Sequence, residues 1–305
     1  MLAFAGIARG ATPPAHDLVF LATADEETGS EFGMRWLLAH RPDVFADVRY
    51  GITEGGVTEL MREQMIYFGI EIGGKQLVEL IVSAPDIEAV RKARFALEPY
   101  MFPREAERVL PEVDEYLRTV APTRIAFRQY FENIQQTIRD GQFWRLPASY
   151  RDLMQNSVWA TAPVKKGDRY EMTVTLLNLP DEQPAKRIEL VETVVRPFGV
   201  AVAVKTQEGP VPLTTDETPL FAILKKEAER RYKVPAGTQI AYRSFTDSRF
   251  LRPHGIQAYG VSPYPVDYFQ SITIHAANER IRLQAFTEGI GYMANVVGEW
   301  ARATQ

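Results

Sequence analysis

Two periodicities alternate along this chain of 305 residues. Asp17–Ala24 (DLVFLATA) is an unbroken apolar run of strand length, and Glu31–His40 follows with Phe32, Trp36 and Leu37 at helical spacing. The pair predicts a strand, a loop and a helix. Arg49–Gly56 (RYGITEGG) reads as a short buried strand running into a glycine pair. The first residues read as the tail of an amphipathic helix, a Thr-Pro-Pro loop and the entry to the strand. Such strand and helix units predict an α/β domain whose polar residues gather at the carboxyl ends of parallel strands.

Between about Ile72 and Lys205 the texture changes. Leu77–Ser83 alternates like a strand, Ile87–Tyr100 and Arg124–Asp140 read as long helices, and Tyr170–Asn178 and Val200–Lys205 alternate again. The α/β texture resumes at Thr218, an N-cap followed by Pro219 and a helix to Tyr232. It continues through a Gly/Pro-punctuated stretch to a last helix from about Glu279 to Trp300. The economical division is residues 1–71 and 206–305 as one domain, interrupted by an α+β module at residues 72–205.

Composition narrows the chemistry. The chain carries 35 basic and 39 acidic residues, a formal charge of −4. No basic stripe is present to neutralise phosphates, which argues against nucleic-acid and anionic-membrane partners. No apolar window approaches the ~18 residues of a membrane span. There is no cysteine, which excludes thiolate metal sites and a cysteine nucleophile, so any metal must be held by imidazole and carboxylates. No G-x-S-x-G elbow supports a serine hydrolase.

The densest acidic group in an apolar setting is Asp25-Glu26-Glu27, directly after the predicted strand. Crowded carboxylates repel one another and lose hydration, so a bound cation is one reading. The other is that Asp25 or Glu26 caps the following helix. Glu54 repeats the pattern before Gly55-Gly56, and is equally readable as a turn residue. His275, at the end of the apolar run Ser271–His275 and before the last helix, is a ligand or else a capping or core side chain. Together, carboxylates and one imidazole at three strand ends match the donors of a hydrolytic zinc centre.

LATADEETGSEFGMRWL with ITEGG, and TDSRFLRPHGIQAYGVSP with IHAANERI, resemble the two signatures of the M20 metallopeptidases, over Asp17–Gly56 and Thr218–Trp300. The resemblance implies a zinc-peptidase-like catalytic domain with a parallel-rich sheet and an inserted lid or dimerisation domain. It implies hydrolysis of amide bonds in N-acyl amino acids or small peptides, with Glu26 as general base and Glu27, Glu54 and His275 as zinc ligands. Asp25 would orient a ligand, and Arg249 would grip the substrate carboxylate, with a structural ion pair to Asp247 or another acid as its other reading and Arg252 as an alternate. A homodimer through the insertion and a cytoplasmic location are expected.

The chain departs from that pattern in two places. The family's His-x-Asp and Gly-x-x-Asp segments belong upstream of Asp17, where only sixteen residues stand, and His16 lies in the loop entering the strand. An N-terminally truncated form with weak or partial zinc binding is therefore expected. No histidine lies between His40 and His254, so the lid lacks the histidine that helps hold an oxyanion. A catalytically inactive relative that keeps the fold as a binding or dimerisation module is the second reading.

Overall fold

The computed structural model describes residues 1–10, 13–56, 58–61, 64–101, 106–180, 182–207, 211–241 and 245–303. Thr12 of the Thr-Pro-Pro loop lies outside them. Among these described residues ten strands run in chain order: β1 (Tyr50–Thr53), β2 (Thr58–Met61), β3 (Gln64–Gly74), β4 (Gln76–Ala84), β5 (Ser157–Ala160), β6 (Val164–Lys166), β7 (Arg169–Asn178), β8 (Ala201–Gln207), β9 (Ala236–Ala241) and β10 (Gln257–Gly260). The chain divides into two compact units. One comprises Met1–Ile72, Thr214–Gln239 and Ser244–Gln305; the other comprises Gly73–Leu213 with Ile240–Arg243.

The first unit is α/β with a mixed sheet in the order β1-β10-β3-β2, β9 pairing with β3. β1 and β10 run parallel, Tyr50 opposite Gln257 through Thr53 opposite Gly260, whereas β3 is antiparallel to β10 and β2. The helix Pro219–Tyr232 is capped as its Thr-Pro start predicts: the Thr218 hydroxyl accepts a hydrogen bond from the Phe221 amide at 3.1 Å. The last helix is Leu283–Trp300. Phe68, Tyr232 and Tyr292 stack between these elements.

Two expectations fail in this unit. Asp17–Ala24 joins no ladder among the described residues, and Val19, Phe20 and Leu21 are exposed. An apolar run specifies a strand only where a neighbour offers its backbone groups, and none does here. The helix after it is Met34–His40, with Met34 and Leu38 packed against Leu251, Ile256 and Ala258. Starting after Gly33, it turns Phe32 and Trp36 outward, so they are not its core face.

The second unit is α+β. Its antiparallel sheet has the order β5-β7-β4-β8, with β6 on β7. Along β4, Val78, Leu80, Val82 and Ala84 alternate inward and meet Val90, Ala93, Leu97 and Met101 of the helix Ile87–Met101 and Val191 and Val195 of the helix Pro184–Val195. Period-2 and period-3.6 patterns thus close on one core. The long helix expected over Arg124–Asp140 is instead broken into 3₁₀ and α turns. Asn133 interrupts it with a non-helical backbone (φ −144°), and its side chain caps the turn Ile134–Arg139 by accepting from the Gln136 amide at 3.2 Å. Among the described residues no helix is long and apolar enough to cross a membrane.

Leu80→Ala, which deletes a fully buried side chain, is expected to cost about 2–5 kcal/mol in urea unfolding. Val204→Ala on β8, where the side chain is 50% exposed, is expected to cost less than about 1 kcal/mol.

Candidate metal centre

The segment from Thr23 to Gly33 is a tight loop closed on itself. Asp25 adopts a left-handed conformation (φ 47°), and its carbonyl accepts hydrogen bonds from the amides of Thr28 (3.0 Å) and Ser30 (2.9 Å). The Asp25 carboxylate accepts from the Phe32 amide at 3.1 and 3.3 Å. Gly33 is required by close approach: a Cβ there would lie 2.0 Å from the Ala24 carbonyl oxygen. Between these ties Glu26–Thr28 form one 3₁₀ turn that presents Glu26 and Glu27 side by side. Asp25 therefore stabilises its own loop, and its side chain makes no cap hydrogen bond to the 3₁₀ turn.

Glu54 directly follows β1, and the turn after it is built from Gly55 (φ 124°) and Gly56 (φ 70°). Side chains are barred there sterically as well, since a Cβ on Gly55 would sit 2.4 Å from Glu71 Oε2 and one on Gly56 2.5 Å from the Gly69 carbonyl oxygen. The chain thus leaves β1 in a conformation open only to glycine at little cost, and Glu54 is delivered to Glu26. One oxygen from each of Glu26, Glu27 and Glu54 falls within 4.8 Å of the others.

His275 reaches the same group by another route. The expected strand around Ser271–His275 does not form. After the short helix Tyr268–Ser271 the chain makes successive turns, with Thr273 donating to Gln270 and Ala276 to Thr273. His275 takes a positive φ of 63° and places Nε2 2.9 Å from Glu27 Oε1, both side chains being well exposed (68% and 61%). Local backbone turns, whose signal differs from that of a strand, set this position.

Both carboxyl oxygens of Glu26 are buried and receive no hydrogen bond from a protein donor among the described residues. Burial, then the neighbouring Glu54, Glu27 and Asp247 carboxylates, push Glu26 from its ordinary 4.5 up to about 8. The desolvated acid and its surrounding acids form the site expected of a group that a divalent cation stabilises. Carboxylate oxygens with an imidazole alongside are donors that hydrolytic metal sites use, so the residues present fit such an ion.

Arg249 lies on the short helix Ser248–Leu251, its guanidinium 4.7 Å from the Phe250 ring and 5.3 Å from that of Phe245. Asp247 accepts hydrogen bonds from the hydroxyls of Thr23 and Ser30, each at 2.7 Å. Arg252, the alternate for gripping a carboxylate, is excluded from that role: it is buried, and its Nη2 bonds Glu71 Oε1 at 3.3 Å and the Ala258 carbonyl at 3.1 Å. Burial pushes Glu71 upward against the pull of Arg252. Glu71 is absent from the sequence-based candidates, although an acid inside the apolar run Ile66–Ile72 is the signal that exposes it. His16 bonds the Ala303 carbonyl at 2.6 Å and packs on Trp300, away from the acids.

An α/β unit interrupted by an α+β unit, with acids gathered after β1 and in the Thr23–Gly33 loop, defines a class of architecture that places polar groups beyond sheet ends. The chain belongs to peptidase family M20/M25/M40, whose model matches residues 1–299. Among solved structures it is similar to human carnosine dipeptidase 1, at 12% identity over 90% of this chain and 65% of that one (TM-score 0.60). It is similar also to the dipeptidase Dug1p of Saccharomyces cerevisiae, at 11% identity over 92% and 65% (TM-score 0.59). A third is the M20 family metallo-carboxypeptidase Sso-CP2 of Sulfolobus solfataricus, at 14% over 77% and 62% (TM-score 0.53). The matches span 62–65% of those chains' lengths, and at such identities they establish the fold. A sequence search of curated proteins finds no match.

The raised Glu26 fixes a sign for the metal-free protein. Between pH 4.5 and about 8 the unfolded chain ionises this group while the folded chain holds its proton, so its contribution to stability falls as pH rises. With cations chelated, Glu26→Gln is expected to stabilise the protein at pH 8 by about 1–2 kcal/mol, after discounting for solvent screening of a half-exposed site, and to have little effect at pH 4. Urea unfolding at the two pH values measures the difference.

Proposed function

We propose that this chain is a metal-dependent amide hydrolase acting on N-acyl amino acids or small peptides. The observation that carries the reading is the convergence of Glu26, Glu27 and Glu54 within 4.8 Å, with His275 on Glu27. Membership of the peptidase family supports the reaction class, and two fold relatives are dipeptidases by description. Glu27, Glu54 and His275 would hold the cation, with zinc the choice for this mixed donor set. A divalent ion there supplies Lewis-acid polarisation of a carbonyl and acidifies a water.

The chain's own residues do the remaining work. Glu26, next to the ligands but with its oxygens sheltered, takes a proton from the attacking water and passes it to the leaving nitrogen. A carboxylate already pushed toward neutral pH is suited to both halves of that transfer. Arg249, stacked over Phe250 and held in orientation by it, would pair with a substrate carboxylate in a bidentate fork. Association of two copies through the antiparallel sheet of the second unit is part of the same reading, as is a substrate small enough to present its own carboxylate.

Calorimetric titration with Zn²⁺ and hydrolysis assays on acetylated amino acids and dipeptides test it. Glu26→Gln is expected to retain zinc binding and to lower kcat by about 10²–10⁴-fold. Folded wild-type protein that binds neither Zn²⁺ nor Mn²⁺ would favour the inactive binding module instead. Arg249→Lys, which keeps the charge and removes the fork, is expected to raise KM about tenfold for substrates with a free carboxylate and to leave amidated analogues unaffected.

A further inference from the structure

The acids of the site stand on two separate loops, and one buried segment is tied to both. Asp247 Oδ2 accepts from Thr23 and Oδ1 from Ser30, at the two flanks of the Glu26-Glu27 turn. The next residue, Ser248, shares a 2.5 Å hydrogen bond with Thr246 and donates to Glu71 Oε1 at 3.4 Å. Glu71 Oε2 in turn accepts from the Gly56 amide at 3.3 Å, in the turn that carries Glu54. Arg252, four residues after Ser248, fixes Glu71 from the other side and is itself fixed by the Thr214 hydroxyl and the Ala258 carbonyl. Thr246, Asp247, Ser248, Arg252 and Glu71 are all buried.

We infer that Thr246–Arg252 is a brace whose Asp247 arm and Glu71 arm set the spacing between Glu26/Glu27 and Glu54, making Asp247, Thr23 and Glu71 positioning residues for the cation site. Physical necessity supports the assignment. Crowded acids repel one another as they ionise, and the Thr23–Gly33 loop and the turn after Glu54, separated in the chain by the helix Met34–His40 and β1, would relieve that repulsion by moving apart. Buried charged hydrogen bonds are stiff, directional and costly to break. Their placement at both flanks of one loop and in the turn of the other opposes separation along the direction in which the repulsion acts. Asp247 adds a further negative charge near Glu26, a cost that has a structural reason if its two hydroxyl partners hold the loop. The inference rests on the cation-site reading for its role, and on the hydrogen bonds alone for its mechanics.

The test separates those two. Thr23→Val removes one hydroxyl at nearly constant volume, Thr23→Ser keeps it, and Asp247→Asn removes the charge. In metal-free protein, hydrogen exchange of the amides in Thr23–Gly33 is expected to accelerate tenfold or more in Thr23→Val and Asp247→Asn and to stay near wild type in Thr23→Ser. Titration with Mn²⁺ and Zn²⁺ is expected to show at least tenfold weaker binding in the first two and unchanged binding in the third. If Thr23→Ser behaves like Thr23→Val, or if Thr23→Val matches wild type in exchange and affinity, the brace is overturned. If the wild type binds neither ion, the cation-site reading fails, and exchange protection alone decides whether the brace exists. Should Asp247→Asn not fold, the two Thr23 variants carry the comparison.

Discussion

Acids crowded into one place set the terms for the first unit. With carboxyl oxygens of Glu26, Glu27 and Glu54 within 4.8 Å of one another, burial and the neighbouring acids oppose the ionisation of Glu26, which is pushed up to about 8. The loops that carry them therefore need anchors stronger than their own turns. Those anchors are visible: Asp25 folds its loop onto the Phe32 amide, Asp247 bonds two hydroxyls of that loop, and Glu71 holds the turn after Glu54. Each anchor is itself an acid, so the unit holds acids with acids and leaves a net negative centre suited to a cation.

The Glu71 and Arg252 pair is the other half of that arrangement. A buried ion pair of this kind is weak evidence for stability, because desolvating both charges offsets their attraction. Its value lies in specificity. Arg252 satisfies the Ala258 carbonyl on β10 and Glu71 on β3 at once, and so registers the strand that precedes Gly260 against the strand that approaches Gly55. The glycines at this crossing are dictated by it: a Cβ on Gly260 would lie 2.8 Å from the Glu54 carbonyl oxygen and 3.0 Å from Glu71 Cβ. Strand contact, glycine pair and ion pair are one device for bringing Glu54 out of the sheet at a fixed place.

How far the sequence revealed this depended on the range of the interaction responsible. Local signals read well. The Thr218-Pro219 helix start, the alternation of β4 and β7 and the glycine pair after Glu54 all have causes within a few residues. Signals whose cause lies elsewhere in the chain read poorly. The apolar run Asp17–Ala24 has strand composition, but pairing is decided by a neighbour that composition does not encode. Met34 rather than Phe32 and Trp36 faces inward, because Gly33 sets where the helix begins. Arg124–Asp140 has helical spacing, yet non-helical backbone at Phe127 (φ −118°) and at Asn133 breaks it, and Asn133 offers its side chain to the backbone as the cap of the next turn.

The site divides in the same way. Glu26, Glu27 and Glu54 declare themselves as acids beside apolar or glycine-rich segments, and their neighbourhood signals a purpose. Glu71 signals itself only as a lone acid in an apolar run, with nothing to say what it touches, and Asp247 reads naturally as a partner for Arg249. Only the fold shows that Asp247 reaches back 224 residues to Thr23 and Glu71 forward to Ser248 and Arg252. Residues that do chemistry must meet a substrate and so are marked by exposure and clustering; residues that position them meet only protein and take the appearance of core. A sequence reading of a polar site will therefore find the clustered acids before it finds what holds them together.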